Sequence, residues 1–140
     1  MMMISTKGRY ALRVMADLAE HQKEGYIPLK DIAERQQISE KYLESVLKNL
    51  VNQRLLVGMR GKGGGYRLTR KPEEYTLGSI LRLTEGDLAP VACLETGAEP
   101  CARRAECPTL PVWEKLNGMI QDYFDSVTLA DLLPQEKKGD

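Results

Sequence analysis

The chain has 140 residues, 42% of them hydrophobic and 29% charged, with 20 Lys and Arg set against 20 Asp and Glu. That length suits one compact domain, or a small domain with an oligomerisation arm, and the apolar fraction excludes a collagenous or disordered chain. No run approaches the ~18 uninterrupted apolar residues of a membrane span, and the opening Met1-Met2-Met3-Ile4-Ser5-Thr6-Lys7 meets charge without an apolar signal segment. A cytoplasmic protein is expected.

The zero net charge conceals a division. Residues 1–71 carry 14 Lys and Arg against 7 Asp and Glu, whereas residues 72–140 carry 6 against 13. A basic first half on a neutral chain points to a polyanionic partner for that half.

From Thr6 to about Gln22, Tyr10, Ala11, Val14, Met15, Leu18 and Ala19 recur at three- and four-residue spacing, which predicts one helix face. Gly25 closes the segment. His21 reads as a partly exposed residue at the helix end. A short helix follows over about Leu29–Gln36, then a turn at Gln37-Ile38 whose isoleucine can plug the core. Ser39 caps the next helix, about Glu40–Gln53, with Leu43, Val46, Leu47, Leu50 and Val51 inward and Lys41, Glu44, Ser45, Lys48, Asn49 and Asn52 outward. Two helices on a tight turn, the second with a polar outer face, form a helix-turn-helix.

Leu55-Leu56-Val57 and Tyr66-Arg67-Leu68 predict two strands around Arg60-Gly61-Lys62-Gly63-Gly64-Gly65. The glycines cannot form a phosphate loop of the nucleotide-binding type, because no Gly-Lys-Ser/Thr and no helix follow. A basic hairpin next to a recognition helix is instead a wing, suited to phosphate and minor-groove contacts. Lys48, Lys62, Arg67 and Arg70 are candidates for phosphate contact. Glu44 can accept from a cytosine amino group, and Arg60 can enter a minor groove.

Thr76 caps a helix over about Leu77–Glu85, which Gly86 ends. Residues 87–107 form an irregular loop containing Cys93, Cys101 and Cys107 with Gly97 and Pro100. A loop that long calls for a function, and an odd, clustered set of cysteines favours metal or redox chemistry over a disulfide framework. Three thiolates suit iron–sulfur centres or zinc; a thiol switch and three idle cysteines are the other readings. Zinc is disfavoured, since it normally takes four protein ligands and close cysteine pairs are missing. Glu95, Glu99 and Glu106 are the nearest oxygen candidates.

A helix over about Thr109–Ser126 carries Leu110, Trp113, Leu116, Met119, Ile120, Tyr123, Phe124 and Val127, a stripe too wide for one small domain to cover. Trp113, Leu116, Met119, Ile120, Tyr123 and Phe124 are the candidate dimer contacts. A short helix over Thr128–Leu133 follows, and a polar tail begins at Pro134. The expected architecture is mostly α with a small β-hairpin: a winged helix-turn-helix over residues 1–75, then a helix, the cysteine loop and a dimerisation helix over residues 76–140. One histidine, no nucleophile beside a base and no nucleotide fingerprint exclude an evident enzyme.

Four segments, in order, resemble the winged-helix transcriptional regulators of the IscR, NsrR and CymR family. They are Ser5-Thr6-Lys7-Gly8-Arg9-Tyr10-Ala11, Ile38-Ser39 with Tyr42-Leu43-Glu44, Arg60-Gly61 with Gly63-Gly64-Gly65-Tyr66, and the three cysteines ahead of a Trp-bearing helix; the resemblance spans residues 3–133. It implies a homodimer on a palindromic promoter site in double-stranded DNA, with base contacts from Ser39, Lys41, Tyr42, Glu44 and Ser45 and a wing contact from Arg60. In the cysteine-bearing branch it also implies an iron–sulfur cluster, [2Fe–2S] before [4Fe–4S], on Cys93, Cys101 and Cys107. Two departures stand out. The first cysteine interval is two residues longer than the family's, and the position of its histidine ligand is held by Leu110; an acidic ligand offered by the partner subunit in other members would fall near Arg9. The expected function is a sequence-specific regulator whose DNA affinity follows the cluster, or in the cysteine-metabolism manner follows thiol oxidation or a partner protein.

Overall fold

The computed structural model describes residues 4–99 and 101–134, so Met1–Met3, Pro100 and the polar tail after Pro134 lie outside the described residues. Helix α1 spans Thr6–Glu20, α2 Leu29–Gln36 and α3 Glu40–Asn52; strands β1 (Leu56–Met59) and β2 (Gly65–Leu68) form the wing, and α4 (Leu77–Glu85) and α5 (Leu110–Ser126) complete the order. Short 3-10 turns lie at Gln22–Glu24, Pro72–Glu74, Ala92–Leu94 and Leu129–Leu132. The architecture is mostly helical with one hairpin, as the periodicity predicts.

Side chains from α1, α2 and α3 build the core. Ala11, Val14, Met15, Leu18, Ile32, Leu43, Leu47 and Leu50 are buried together, and Ile38 plugs the turn between α2 and α3. Tyr75, Ile80 and Leu129 join this cluster from the second half of the chain. Ser39 caps α3 by accepting from the Tyr42 amide at 3.2 Å, and Thr76 caps α4 through the Ser79 amide at 3.0 Å. Each satisfies one free helix-end donor. Gly86, at φ 85°, stops α4 as expected.

Three boundaries differ from the sequence reading. Helix α1 ends at Glu20, and His21 begins a 3-10 turn that Gly25 (φ 81°) closes, its ring 2.7 Å from Glu24 Oε2. The first strand extends to Met59, because Gly58 and Met59 pair with Tyr66 and Gly65 across the ladder. The last short helix is a 3-10 turn, capped when Thr128 accepts from the Asp131 amide at 3.3 Å.

Two polar features of the core carry no apolar periodicity and went unread. Tyr75 is fully buried, and its hydroxyl donates to the Leu55 carbonyl at 2.8 Å while accepting from the Thr69 and Arg70 amides at 2.9 and 3.1 Å. It ties the strand entering the wing to the strand leaving it. Asp17 is likewise buried, held by Arg35 of α2 at 2.8 Å.

Candidate nucleic-acid interface and cysteine site

The recognition surface follows from where α3 spends its apolar residues. With Leu43, Val46, Leu47 and Leu50 buried, Ser39, Lys41, Tyr42, Glu44, Ser45 and Lys48 face outward together. Tyr42 does not stand alone: its ring meets Tyr10 of α1 edge to face at 5.5 Å, and the Arg13 guanidinium lies 5.0 Å from the Tyr10 ring. Thr6, Tyr10, Gln37, Ile38, Ser39 and Tyr42 line a shallow cavity of about 500 Å³ beside the start of α3.

The wing is fixed at its base and open at its tip. Ile27 pairs with Tyr66 as an isolated bridge, the two amides donating across at 2.8 and 2.9 Å. That approach requires Gly65, whose φ is 148° and where a Cβ would strike the Ile27 carbonyl. Beyond it, Arg60 and Lys62 are exposed on a turn with Gly61 and Gly63 at positive φ. Arg67 is exposed on β2 with its guanidinium 4.7 Å over the Tyr26 ring, which holds the cation in place. Arg70 lies 5.0 Å over Tyr75.

The cysteine loop begins as α4 ends. Asp87 anchors it, accepting from the Ala89 amide at 2.8 Å and from the Thr96 amide, and the Thr96 bond is the first cause that holds its carboxyl below the usual range. Cys93 sits on the 3-10 turn Ala92–Leu94, and Cys107 lies just before α5. All three cysteines are free thiols. They converge: Cys93, Cys101 and Cys107 line one small cavity of about 30 Å³ with Arg104 and Leu110. Glu95, Glu99 and Glu106 do not line it. The Cys107 thiol is held below its ordinary value, first by the hydrogen bond to Thr109 Oγ1 at 3.3 Å, with Arg103 adding a weaker attraction.

The cavity tests the expected cluster. In kind the donors fit, since thiols are the ligands that iron–sulfur centres take. In number they stop at three, since the other lining residues, Arg104 and Leu110, offer no metal donor. Among the described residues no group of three His, Cys, Asp or Glu is arranged to hold a metal ion.

Helix α5 inverts the usual amphipathic order. Asn117, Gln121 and Asp125, one turn apart, face α4, where Arg82 donates to Gln121 Oε1 at 3.2 and 2.5 Å and to Asp125 at 2.7 and 3.0 Å. No residue of α5 is buried. Val112, Leu116, Met119 and Tyr123 stand outward at 57%, 38%, 58% and 64% exposure. Their 4-3-4 spacing is that of a two-helix seam. Trp113, Ile120 and Phe124 are half-buried beside this row, and Val112 extends the exposed apolar row toward the start of α5.

The family model Rrf2, an iron-dependent transcriptional regulator, matches residues 4–135. This chain belongs to the Rrf2 family. It is 38% identical over 132 residues to the HTH-type transcriptional regulator IscR of Aliivibrio salmonicida, covering 94% of this chain and 77% of that protein. It is 40% identical over 131 residues to the HTH-type transcriptional regulator CymR of Bacillus subtilis, covering 94% and 89%. Among solved structures, CymR, the global cysteine regulator of B. subtilis, superposes with a TM-score of 0.76 at 40% identity over 94% of this chain and 96% of the other. T. potens IscR superposes at 0.72 with 36% identity, over 96% and 94%.

The Rrf2 chain is thus a winged-helix, DNA-binding transcriptional regulator and not an enzyme. Both IscR and CymR proteins are among its relatives. No helix among the described residues is long and apolar enough to cross a membrane.

Proposed function

We propose that this Rrf2 protein is a cytoplasmic homodimer that reads a palindromic promoter site and whose DNA affinity follows an iron–sulfur cluster held by Cys93, Cys101 and Cys107. The observation that carries the reading is the convergence of three free thiols on one cavity in the loop ahead of α5. Residues 1–75 bind DNA, with Ser39, Lys41, Tyr42, Glu44 and Ser45 toward the bases, Arg60 in the minor groove, and Lys48, Lys62 and Arg67 on phosphates. Residues 76–140 sense and dimerise through Leu116, Met119, Tyr123 and their neighbours. When bound, the cluster supplies a redox-active, ligand-labile iron centre.

The chain's own residues do the rest. Arg104 stands in the cavity wall beside the three thiols. Leu110 withholds a fourth protein ligand and leaves one position to solvent, a small molecule or the partner subunit. The loop starts at Gly86, next to α4, and ends at α5, so filling it acts on the two helices whose angle sets the spacing of the recognition helices.

Anaerobic purification with visible spectroscopy tests this. Serine at each cysteine should remove most of the absorbance, and the three variants should share one altered DNA affinity with fold and dimer intact. Full absorbance and unaltered DNA binding in any one variant would refute the three-thiolate assignment.

One observation favours a second reading, a thiol switch. Cys107 is partly exposed with a lowered pKa, the marks of a reactive cysteine. Colourless anaerobic protein whose Cys107 is alkylated faster than Cys101 near neutral pH, and whose DNA binding then changes, would select it.

A further inference from the structure

One buried, multiply bonded carboxylate in the described core lies away from the cysteines and from the DNA-facing side chains. Asp17 is the one charged side chain among the buried residues. Arg35 donates to it through Nη2 at 2.8 Å and Nε at 3.0 Å, and Gln36 Nε2 donates at 2.9 Å. Gln36 is itself gripped from α1, since Arg13 Nε donates to its side-chain oxygen at 3.2 Å and Arg13 Nη2 to its backbone carbonyl.

A buried ion pair gives weak support to stability, because desolvation offsets most of the attraction; its better-attested use is to select one geometry. The geometry here is that of the turn. Gln37, next in the chain, adopts a left-handed conformation at φ 54°, which side chains other than glycine rarely occupy. Ile38 is then buried, and Ser39 starts α3. A second path runs from Arg13 over the Tyr10 ring to Tyr42 in the first turn of α3. Arg13 touches both paths, through Gln36 in the first and the Tyr10 ring in the second, and both end where the recognition helix begins.

We infer that Asp17 and Gln36 are positioning residues for sequence reading: they clamp the α2–α3 turn to α1 and so aim α3 at the bases. This rests on the reading that α3 enters the major groove and is independent of any cluster. Hydrogen bonds to base edges demand placement within a fraction of an ångström, whereas long cations on phosphates tolerate small rotations. Loosening the clamp should therefore erode discrimination and spare the electrostatic part of binding.

The test uses full-length Gln36→Ala and Asp17→Asn protein, the former retaining the Asp17–Arg35 pair should the latter fail to fold. The probes are the duplex that the unaltered protein selects from a random library and a scrambled duplex of equal length, each across a salt series. Affinity for the selected duplex should fall on the order of tenfold, with scrambled-DNA affinity and the salt slope unchanged. Equal losses on both duplexes, or folded Gln36→Ala with full discrimination, would overturn the inference. Glu44→Ala separates the underlying reading: if it leaves base preference unchanged, α3 does not read bases. If it relaxes preference while folded Gln36→Ala does not, only the clamp is wrong.

Discussion

Met119→Glu tests the α5 seam with little risk to the protomer, because this side chain is more than half exposed and no residue of its helix is fully buried. Complete burial of such a side chain contributes about 1.5–3 kcal/mol, so covering the exposed half is worth about 1 kcal/mol. In a symmetric interface the loss occurs twice. The substitution also places two carboxylates in a shared apolar seam, and the cost of burying them brings the total to at least ~4 kcal/mol. At about 1.4 kcal/mol per factor of ten, the dimer should weaken roughly a thousandfold. Sedimentation velocity over a dilution series reads the dissociation constant, and circular dichroism checks that the helices persist. Affinity for a palindromic duplex should collapse further than affinity for an isolated half-site. An unchanged dissociation constant would refute the seam, and an unfolded variant would refute the claim that this face is free in the protomer.

Wing variants Arg60→Ala and Lys62→Ala should each lower the slope of log affinity against log salt by about 0.9 if the lost cation neutralised a phosphate; unaltered slopes in DNA titrations would remove these residues from the interface. Tyr75→Phe leaves the Thr69 and Arg70 amides without their partner and should lower stability by about 2 kcal/mol, seen as a lower midpoint in urea, whereas an unchanged midpoint would mean water replaces the hydroxyl. Asp125 is held below the usual carboxylate range by its bonds to Arg82. Its contribution is therefore complete above the ordinary carboxylate pKa and is lost as pH falls through the lowered one; Asp125→Asn should be less acid-sensitive, by under about 1 kcal/mol at this exposed pair. Leu110→His puts an imidazole in the wall of the cysteine cavity and should slow the loss of visible absorbance in air, and no change there would mean the loop cannot bring the ring to the metal.

Most of the fold is legible in the sequence because it rests on apolar periodicity. Helix α3 shows its buried and exposed faces in its residue order, and Ser39, Thr76 and Gly86 mark ends through backbone groups that any helix must satisfy. The site is legible where a residue's chemistry suffices, as with the cysteines or the cations of the wing. The missing information concerns partners distant in the chain. Asp17 stands on the helix face that carries Val14 and Leu18, and nothing in its own neighbourhood says that Arg35 and Gln36 will reach it. Tyr75 resembles any core aromatic until its hydroxyl is found bridging Leu55 and Thr69. Val112 and Trp113 are both apolar neighbours at the start of α5, and only the fold shows that Val112 continues the outward row of Leu116 and Met119 while Trp113 is half-buried on the flank.

The same distinction explains why α4 links the two halves of the chain. At its end Glu85 accepts from the Ser5 hydroxyl at 2.5 Å and from the Ser5 amide at 3.3 Å, pinning the start of α1. Gly8 makes room, since a Cβ there would strike the Glu85 carboxylate. One turn earlier, Arg82 holds α5 through Gln121 and Asp125. The residue after Gly86 is Asp87, which anchors the cysteine loop. Within six residues, 82–87, one helix end thus grips the DNA-facing helix bundle, the seam helix and the loop that carries the thiols. A change in the loop reaches the recognition surface through α4, which packs on α1 by way of buried Ile80, whereas α5 is tied to α4 by the part-exposed Arg82 bonds with no fully buried residue of its own. Such bonds contribute little singly and exchange readily with water, which is the physical condition for an orientation that modest free energies can reset.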